Sequence, residues 1–270
     1  MGEAGYSSWI GRSETKRDEA TLAALRGLAA LLDYECERWG SGPIPPLAHW
    51  LYFLPTVPQS ELGEDGHPKR GGFYPPVALP RRMWAAGRLN FLAPINAGDQ
   101  LERVSTIKSV TEKAGASGPL VFVTVAHRIS ANGQSAIEEE QDIVYRGASA
   151  NAALAASQPR SAERERTLTP NAPLLFRYSA LTFNAHRIHY DLPYATQEEG
   201  YPGLVVQGPL IATLLMDHYL RAAPPPRRFS FRAERPLIAG QDATLCAAGD
   251  ELWCRNAGGD TAMRARVERS

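Results

Sequence analysis

The sequence predicts an α+β fold in which a central helix lies on an antiparallel sheet, and a unit of this kind is present twice. Three observations predict it. From about Pro209 to Leu220, the residues Leu210, Ile211, Leu214, Leu215 and Tyr219 form one broad apolar face at helical spacing, and Pro224-Pro-Pro226 stops the run. Short strand-like runs then recur at Phe229–Glu234, Thr244–Ala248, Glu251–Cys254 and Met263–Val267. The two halves also echo each other. Arg88-Leu-Asn-Phe-Leu-Ala-Pro94 with Gly98 resembles Arg228-Phe-Ser-Phe-Arg-Ala, Pro236 and Gly240, each a proline and a glycine between two strands. Upstream, Gly72-Phe-Tyr-Pro-Pro-Val parallels Gly200-Tyr-Pro-Gly-Leu-Val. The spacing between landmarks is shorter in the first half, where the central helix of the second half has no counterpart. A duplicated unit whose N-terminal copy has a shortened or lost helix is the expectation.

The other elements follow in chain order. Residues 20–34 have helical apolar spacing and high helix propensity. Residues 41–81 are rich in proline and glycine and are expected to wind over the surface in extended pieces and turns. Val121 to Ile129 alternate, Asn132-Gly133 is a strong hairpin signal, and Ile137 to Tyr145 form the return strand. Residues 147–172 hold many Ala and Ser and the charged run Glu163-Arg-Glu-Arg166, without apolar periodicity, and read as a linker. A strand is expected around Leu174–Tyr178. The division is an N-terminal unit over 1–150, a linker over 151–172 and a C-terminal unit over 173–270.

Composition excludes several classes. A hydrophobic fraction of 44% over 270 residues supports a sizeable core. Lys+Arg and Asp+Glu balance at 29 each, so no global field pulls toward nucleic acid or acidic lipid. The three cysteines, Cys36, Cys246 and Cys254, form no CxxC, and an odd number suits a reducing compartment. Cys246 and Cys254 are expected to be buried small apolar residues. The first residues carry charges without an apolar stretch, and no run approaches the ~20 apolar residues of a membrane span. A soluble cytoplasmic protein is the expectation. GxGxxG, GxxxxGK[ST] and GxSxG are all absent, which leaves nucleotide-phosphate loops and a serine triad unsupported.

Two stretches carry the chemistry. Asn184-Ala-His-Arg-Ile-His189-Tyr-Asp191 packs two imidazoles, an amide, a guanidinium and a carboxylate into one short segment. Gly200-Tyr-Pro-Gly-Leu-Val-Val-Gln-Gly208 delivers a glycine at the mouth of the central helix. Together they suit addition of water to a double bond conjugated to a carbonyl. His189 can accept the water proton and return it, Asn184 can orient the water, and the Gly208 N–H at the helix start can meet the developing enolate oxygen. His186 is expected to point elsewhere and bond a backbone group. Asp191 can pair with Arg187. His186, His189 and Asp191 lack a further ligand at a recognisable spacing and HExxH is absent, so no metal is expected. Tyr178 is read as core packing or a substrate contact.

At this point the chain resembles a known family. Tyr178-Ser-Ala-Leu-Thr-Phe-Asn-Ala-His-Arg-Ile-His189 resembles the hydratase signature of MaoC-like enoyl-thioester hydratases and dehydratases, in which an aromatic residue leads to an Asp and a His follows five positions later. Val205-Val-Gln-Gly208-Pro-Leu resembles the segment leading into the family's central helix. Leu47–Arg146 resembles the N-terminal domain of the double-hot-dog subgroup, on Trp50-Leu-Tyr-Phe-Leu-Pro55, Gly66-His-Pro-Lys-Arg-Gly-Gly72 and Arg81-Arg-Met-Trp84. The likeness extends to hydroxyacyl-thioester dehydratases type 2 and to mesaconyl- or itaconyl-CoA hydratases.

The resemblance implies a double hot-dog, two antiparallel sheets each wrapping a helix with the N-terminal helix shortened or lost. It implies an enoyl-CoA hydratase that needs no cofactor beyond its coenzyme A thioester substrate, a C5 dicarboxylyl-CoA hydrated to citramalyl-CoA. A 3-hydroxyacyl-thioester dehydratase of fatty acid synthesis is the alternative enzyme, and a non-catalytic acyl-thioester binding protein the alternative class. Lys69, Arg70, Arg81 and Arg82 are the candidate partners of coenzyme A phosphates, and Arg187 of a second substrate carboxylate. Trp50, Tyr52, Phe53 and Trp84 either wall the acyl pocket or fill the core. No nucleic-acid or membrane partner is expected, and the chain suits a monomeric pseudo-dimer or a homodimer. Two positions depart from the family pattern: Asn184 stands where it has an Asp, and Gln207-Gly208 where His-Gly is frequent.

Overall fold

Ten antiparallel strands form one continuous sheet in the computed structural model of the chain, which describes residues 5–115, 118–147 and 160–269. The strands are β1 (Ser13–Glu19), β2 (Arg81–Phe91), β3 (Gln100–Gly115), β4 (Gly118–Ala131), β5 (Gln134–Arg146), β6 (Arg164–Leu168), β7 (Arg228–Ala233), β8 (Ala243–Ala248), β9 (Glu251–Arg255) and β10 (Thr261–Glu268). Three helices join them: α1 (Leu22–Leu31), α2 (Ala172–Thr182) and α3 (Gly208–Leu220).

The strand order, β1-β3-β4-β5-β2-β7-β10-β9-β8-β6, reads the same from either end once the second half is matched to the first. The halves meet at β2 and β7, the segments that echo in sequence, with Arg88 opposite Ser230 and Leu89 opposite Phe229. Gly87 is required at this seam, because a Cβ there would lie 2.4 Å from the Phe231 ring. The Pro-to-Gly turns also match. Gly98 (φ +88) donates its N–H to Ala20 after β1, and Gly240 (φ +83) to Pro170 after β6. The hairpin between β4 and β5 turns on Asn132 (φ +50) and Gly133 (φ +82), both left-handed as a tight hairpin requires.

The helices show where the copies differ. α1 follows β1, α2 follows β6, and the two pack together. α3 packs against β8, β9, β10 and β2, and every residue from Leu210 to Tyr219 is buried, so the C-terminal half wraps it. Between α1 and β2 the described chain has only short 3-10 turns at Ala48–Leu51 and Gln59–Glu61. The N-terminal half therefore keeps a sheet face that no α-helix among the described residues fills. Cys246 and Cys254 are buried on β8 and β9.

Two expectations are corrected. The strand expected around Leu174–Tyr178 is part of α2, which starts where the Asn171 Oδ1 accepts the Leu174 N–H at 3.0 Å, with proline in its first turn. The linker read over 147–172 contains β6, whose alternating charged run pairs with β8 at the sheet edge. Residues 148–159 of that run lie outside the described residues.

Candidate active site

Phe183 ends α2 in a left-handed conformation (φ +48), and the chain turns through Asn184 into a 3-10 turn at Arg187–His189. An extended stretch then runs back past it. Val205 donates its N–H to the Ile188 carbonyl at 3.0 Å, and Val206 donates to Leu237 at 2.8 Å. Three residues later α3 begins at Gly208. This weave sets the catalytic geometry. The His189 ring is buried and its Nδ1 lies 2.7 Å from the Val205 carbonyl oxygen. A carbonyl only accepts, so Nδ1 carries the proton and Nε2 is left with a free lone pair. Burial pushes the His189 pKa down to about 4, which keeps the ring neutral and ready to accept.

A cleft of about 1440 Å³ opens over this ring. It brings Asn184, His189, Gly208, Tyr178, Arg81 and Arg82 together, as the sequence suggests. The Gly208 N–H makes no hydrogen bond among the described residues, as befits the first turn of a helix. A Cβ at Gly208 would meet nothing closer than the Trp84 carbonyl oxygen at 3.7 Å, so the glycine leaves room in the cleft rather than relieving a clash. The Asn184 Oδ1 accepts the His186 N–H at 3.0 Å, so its Nδ2 is the atom left to donate. Gln207, at the helix mouth, donates through Nε2 to Leu175 and Ser179, which ties α3 to α2. Tyr178 is fully buried with its hydroxyl unpartnered, and burial pushes its pKa up.

Other sequence candidates lie elsewhere. Arg187 does not line the cleft: Asp191 takes its Nε and NH2 at 2.9 and 2.7 Å, the Glu64 carbonyl takes NH1, and Tyr194 stacks on it at 4.1 Å. The second-carboxylate contact expected of it is corrected on that ground. Lys69 and Arg70 border a separate hollow, not the cleft. The Lys69 Nζ donates to the Ser60 carbonyl, and Arg70 is spent on the carbonyls of Val77, Leu79 and Pro80. Arg81 is paired with Glu199 at 2.8 Å. Trp50, Tyr52, Phe53 and Trp84 all line the cleft, with Trp50 edge-on to Trp84 at 4.9 Å.

Several site residues escaped the sequence reading. His186 turns its ring into the cleft, not away, and sits between His67 at 4.1 Å and His189 at 5.3 Å, centre to centre. His67 is held by Asp65, with Nδ1 at 3.0 Å from the carboxylate. Its signal was the glycine before it. Asp65, His67 and His186 place donor atoms within 4.8 Å of one another, yet burial, with the nearby charge of Arg82 adding to it, depresses both imidazoles, and that charge opposes a cation there. Burial drives the His186 pKa down to about 2.

The unfilled N-terminal face is polar where a helix would need it apolar. Ser105, His127 and Glu139 lie side by side across β3, β4 and β5. Glu139 is buried, and His49, Trp50 and Gln141 bond its carboxylate at 3.2, 3.0 and 2.9 Å, holding its pKa down to about 2 against the burial that would raise it. His127 bonds Ser105 through Nδ1, and its buried Nε2 has no hydrogen-bond partner among the described residues. Arg103, also lining the cleft, lies 4.8 Å over the Phe53 ring with its buried Nε unpartnered.

Residues 47–239 match the model of the hydroxyacyl-thioester dehydratase type 2 family. The chain belongs to this family. It is 47% identical to a mesaconyl-C(4)-CoA hydratase of Chloroflexus aurantiacus, over 99% of each chain. It is 29% identical to the mitochondrial hydroxyacyl-thioester dehydratase type 2 of Schizosaccharomyces pombe, over 78% of this chain and 80% of that one. Among solved structures, HtdX of Mycobacterium tuberculosis matches with a TM-score of 0.69 at 21% identity, covering 96% of this chain and all of that one. A second M. tuberculosis protein, described as a double hot-dog, matches at 0.57 with 10% identity over 96% of this chain and 95% of its own. The fold is a double hot-dog, with its two expected sheets joined edge to edge, and the family member is an enzyme of the hydro-lyase class. Among the described residues no helix is long and apolar enough to cross a membrane.

Proposed function

We propose that this enzyme adds water across the double bond of an enoyl-CoA thioester, and that its substrate is a C5 dicarboxylyl-CoA, mesaconyl- or itaconyl-CoA, hydrated to citramalyl-CoA. One observation carries the reaction: a neutral imidazole with a free Nε2 and an unpaired helix-start N–H line the same cleft. Water accepted at the His189 Nε2 is aimed at Cβ. As the C–O bond forms, the double-bond electrons move toward the thioester oxygen, where the Gly208 N–H and the positive end of α3 meet the growing charge. One such donor is worth about 10²–10³ in rate. The Asn184 Nδ2 can hold the water oxygen but cannot take its proton.

The dicarboxylate is supported by the relative that acts on mesaconyl-C4-CoA and by the polar far wall of the cleft. A fatty acyl tail gains nothing from facing the Arg103 guanidinium and the His127 imidazole that line this wall. A short acyl group ending in a carboxylate meets the Arg103 charge. The 3-hydroxyacyl-thioester dehydratase reading draws on the family and on more distant relatives, 29% and 26% identical. The test is to follow loss of enoyl-thioester absorbance with mesaconyl-, itaconyl- and crotonyl-CoA in parallel. Preference for a dicarboxylyl substrate supports the proposal, and turnover of crotonyl-CoA alone moves the enzyme to fatty-acyl chemistry.

A further inference from the structure

With asparagine at position 184, the catalytic segment itself lacks a second basic proton-transfer group, since burial strips the His186 ring of its basicity. The loop before β2 supplies one from the other half of the chain. We propose that His67, oriented by Asp65, is a second catalytic residue, which shares the attacking water with His189 and takes the proton that a carboxylate at position 184 would take. The inference rests on the hydratase reading above.

The loop is built onto the catalytic turn. Gly66 has φ +84, and a Cβ there would stand 1.8 Å from the Ala185 carbonyl oxygen, so its backbone lies directly against the segment between Asn184 and His186. The Arg187 N–H donates to the Asp65 carbonyl at 2.9 Å, and the Arg187 guanidinium to the Glu64 carbonyl at 3.1 Å. Arg187 thus anchors the loop rather than binding substrate. A loop that merely covered the surface would need neither the glycine nor these bonds.

The loop presents a fixed dyad. Asp65 accepts the His67 backbone N–H with Oδ1 and faces the ring Nδ1 with Oδ2, both at 3.0 Å. The proton therefore sits on Nδ1, and Nε2 offers a lone pair with no partner among the described residues. Of the four imidazoles lining the cleft, His67, His127, His186 and His189, only His67 hydrogen-bonds a carboxylate among the described residues; His189 has a carbonyl behind it. A carboxylate so placed stabilises the imidazolium that forms when the ring takes a proton. Around His67, burial, Arg82 and Arg70 disfavour that charge and Asp65 favours it, while the His186 ring stacks on it and His189 lies beyond.

The step balances. The His189 Nε2 accepts one O–H of the water, and the His67 Nε2 takes the proton of the other as oxygen bonds to Cβ. The double-bond pair becomes the enolate, met by the Gly208 N–H. The His67 imidazolium then returns its proton to Cα, the enolate pair forming the C–H bond. One water is added and both imidazoles end neutral.

The test measures kcat, KM and the pH profile of hydration for the full-length wild type, His67→Gln, Asp65→Asn and the double variant His67→Gln/Asn184→Asp, with mesaconyl- and crotonyl-CoA. His67→Gln should lose about 10²-fold in kcat with KM within about threefold. The added carboxylate at 184 should restore about tenfold of that loss. Asp65→Asn should move the acid limb of kcat/KM to lower pH, because the carboxylate that raised the imidazole pKa is gone. A His67→Gln kcat within about threefold of wild type, a double variant no faster than the single, or an unmoved limb in Asp65→Asn overturns the proposal. If His67→Gln does not fold, the Asp65→Asn limb decides alone. An inactive wild type overturns the hydratase reading and this proposal together, whereas an active wild type with unaffected variants overturns only the role of His67.

Discussion

Replacing Arg103 with methionine separates recognition of a substrate carboxylate from every other part of binding. The guanidinium projects from β3 over the Phe53 ring, and among the described residues no carboxylate lies within ion-pair distance of it. Burial lowers its pKa, the mark of a charge held at a cost. Across the strand pair it faces Lys16 of β1, while the Glu139, Glu14 and Asp18 carboxylates favour its charge without offsetting the burial. An anion from the substrate relieves the burial penalty. A charge-assisted hydrogen bond of this kind contributes about 1.5–3 kcal/mol. Methionine keeps most of the volume and drops the charge. KM for mesaconyl-CoA should therefore rise about 10- to 150-fold, at about 1.4 kcal/mol per tenfold. KM for crotonyl-CoA, which has no second carboxylate, should stay within about twofold. The thermal unfolding midpoint should change little, because the burial penalty removed is offset by the lost attraction of the Glu139, Glu14 and Asp18 carboxylates. Initial rates on the two thioesters, with a melting curve for each protein, make the assay. Equal losses on both substrates, or a large fall in stability with no change in KM, would refute the reasoning.

The other predictions concern the catalytic turn and its pH response. Asn184→Ala should lower kcat by about tenfold, well short of the loss in His189→Ala, because the amide only positions water; a steady-state comparison of the two checks this. Gly66→Ala should cost on the order of 1–3 kcal/mol in stability and lower kcat with it, since the left-handed backbone and the Ala185 carbonyl both exclude a methyl group; denaturant unfolding beside kcat measures both. The buried imidazoles of His189, His186 and His127, with pKa values pushed down to about 4, 2 and 4, are neutral in the folded chain but take up protons on unfolding below about pH 6.5. Their contribution is complete above that pH and drains as pH falls, each by on the order of 2 kcal/mol at about pH 5. A melting series from about pH 7.5 to about pH 5 should show the midpoint falling before most carboxylates titrate, and a flat series would contradict the burial of these rings.

Much of the architecture is legible because local signals agree. Asn132-Gly133 dictates a hairpin and one forms. The echo around Pro94 and Pro236 became the β2–β7 seam and a pair of matching left-handed glycines. The segment after Gly208 reads as a helix at any level of inspection, and the missing helix of the first half is visible as missing length. The strand assigned to Leu174–Tyr178 failed because Asn171 and the following proline, a helix start, were overlooked beside the apolar run. The linker failed at β6 because an edge strand of alternating charges has no apolar period to find.

The site divides in the same way. Asn184, His189 and Gly208 are neighbours along the chain, so their motif survives in the sequence. His67 reaches them across more than a hundred residues through a docked loop, and only the left-handed Gly66 hints at it. The polar row of Ser105, His127 and Glu139 looks like ordinary alternation until the absence of a covering helix is known. Arg187, the most conspicuous cation in the sequence, is spent on Asp191, while Arg103, with no ion-pair partner among the described residues, sits on a long strand whose neighbours the sequence does not show.

The central claim is that a buried, carbonyl-held imidazole aims water at an enoyl-thioester. Its most direct test is the loss of enoyl absorbance when wild type and His189→Ala, each verified as folded, are added to mesaconyl-CoA at neutral pH. The account predicts rapid loss with wild type and none above background with the variant. Equal turnover by both proteins, or none by wild type, would contradict it.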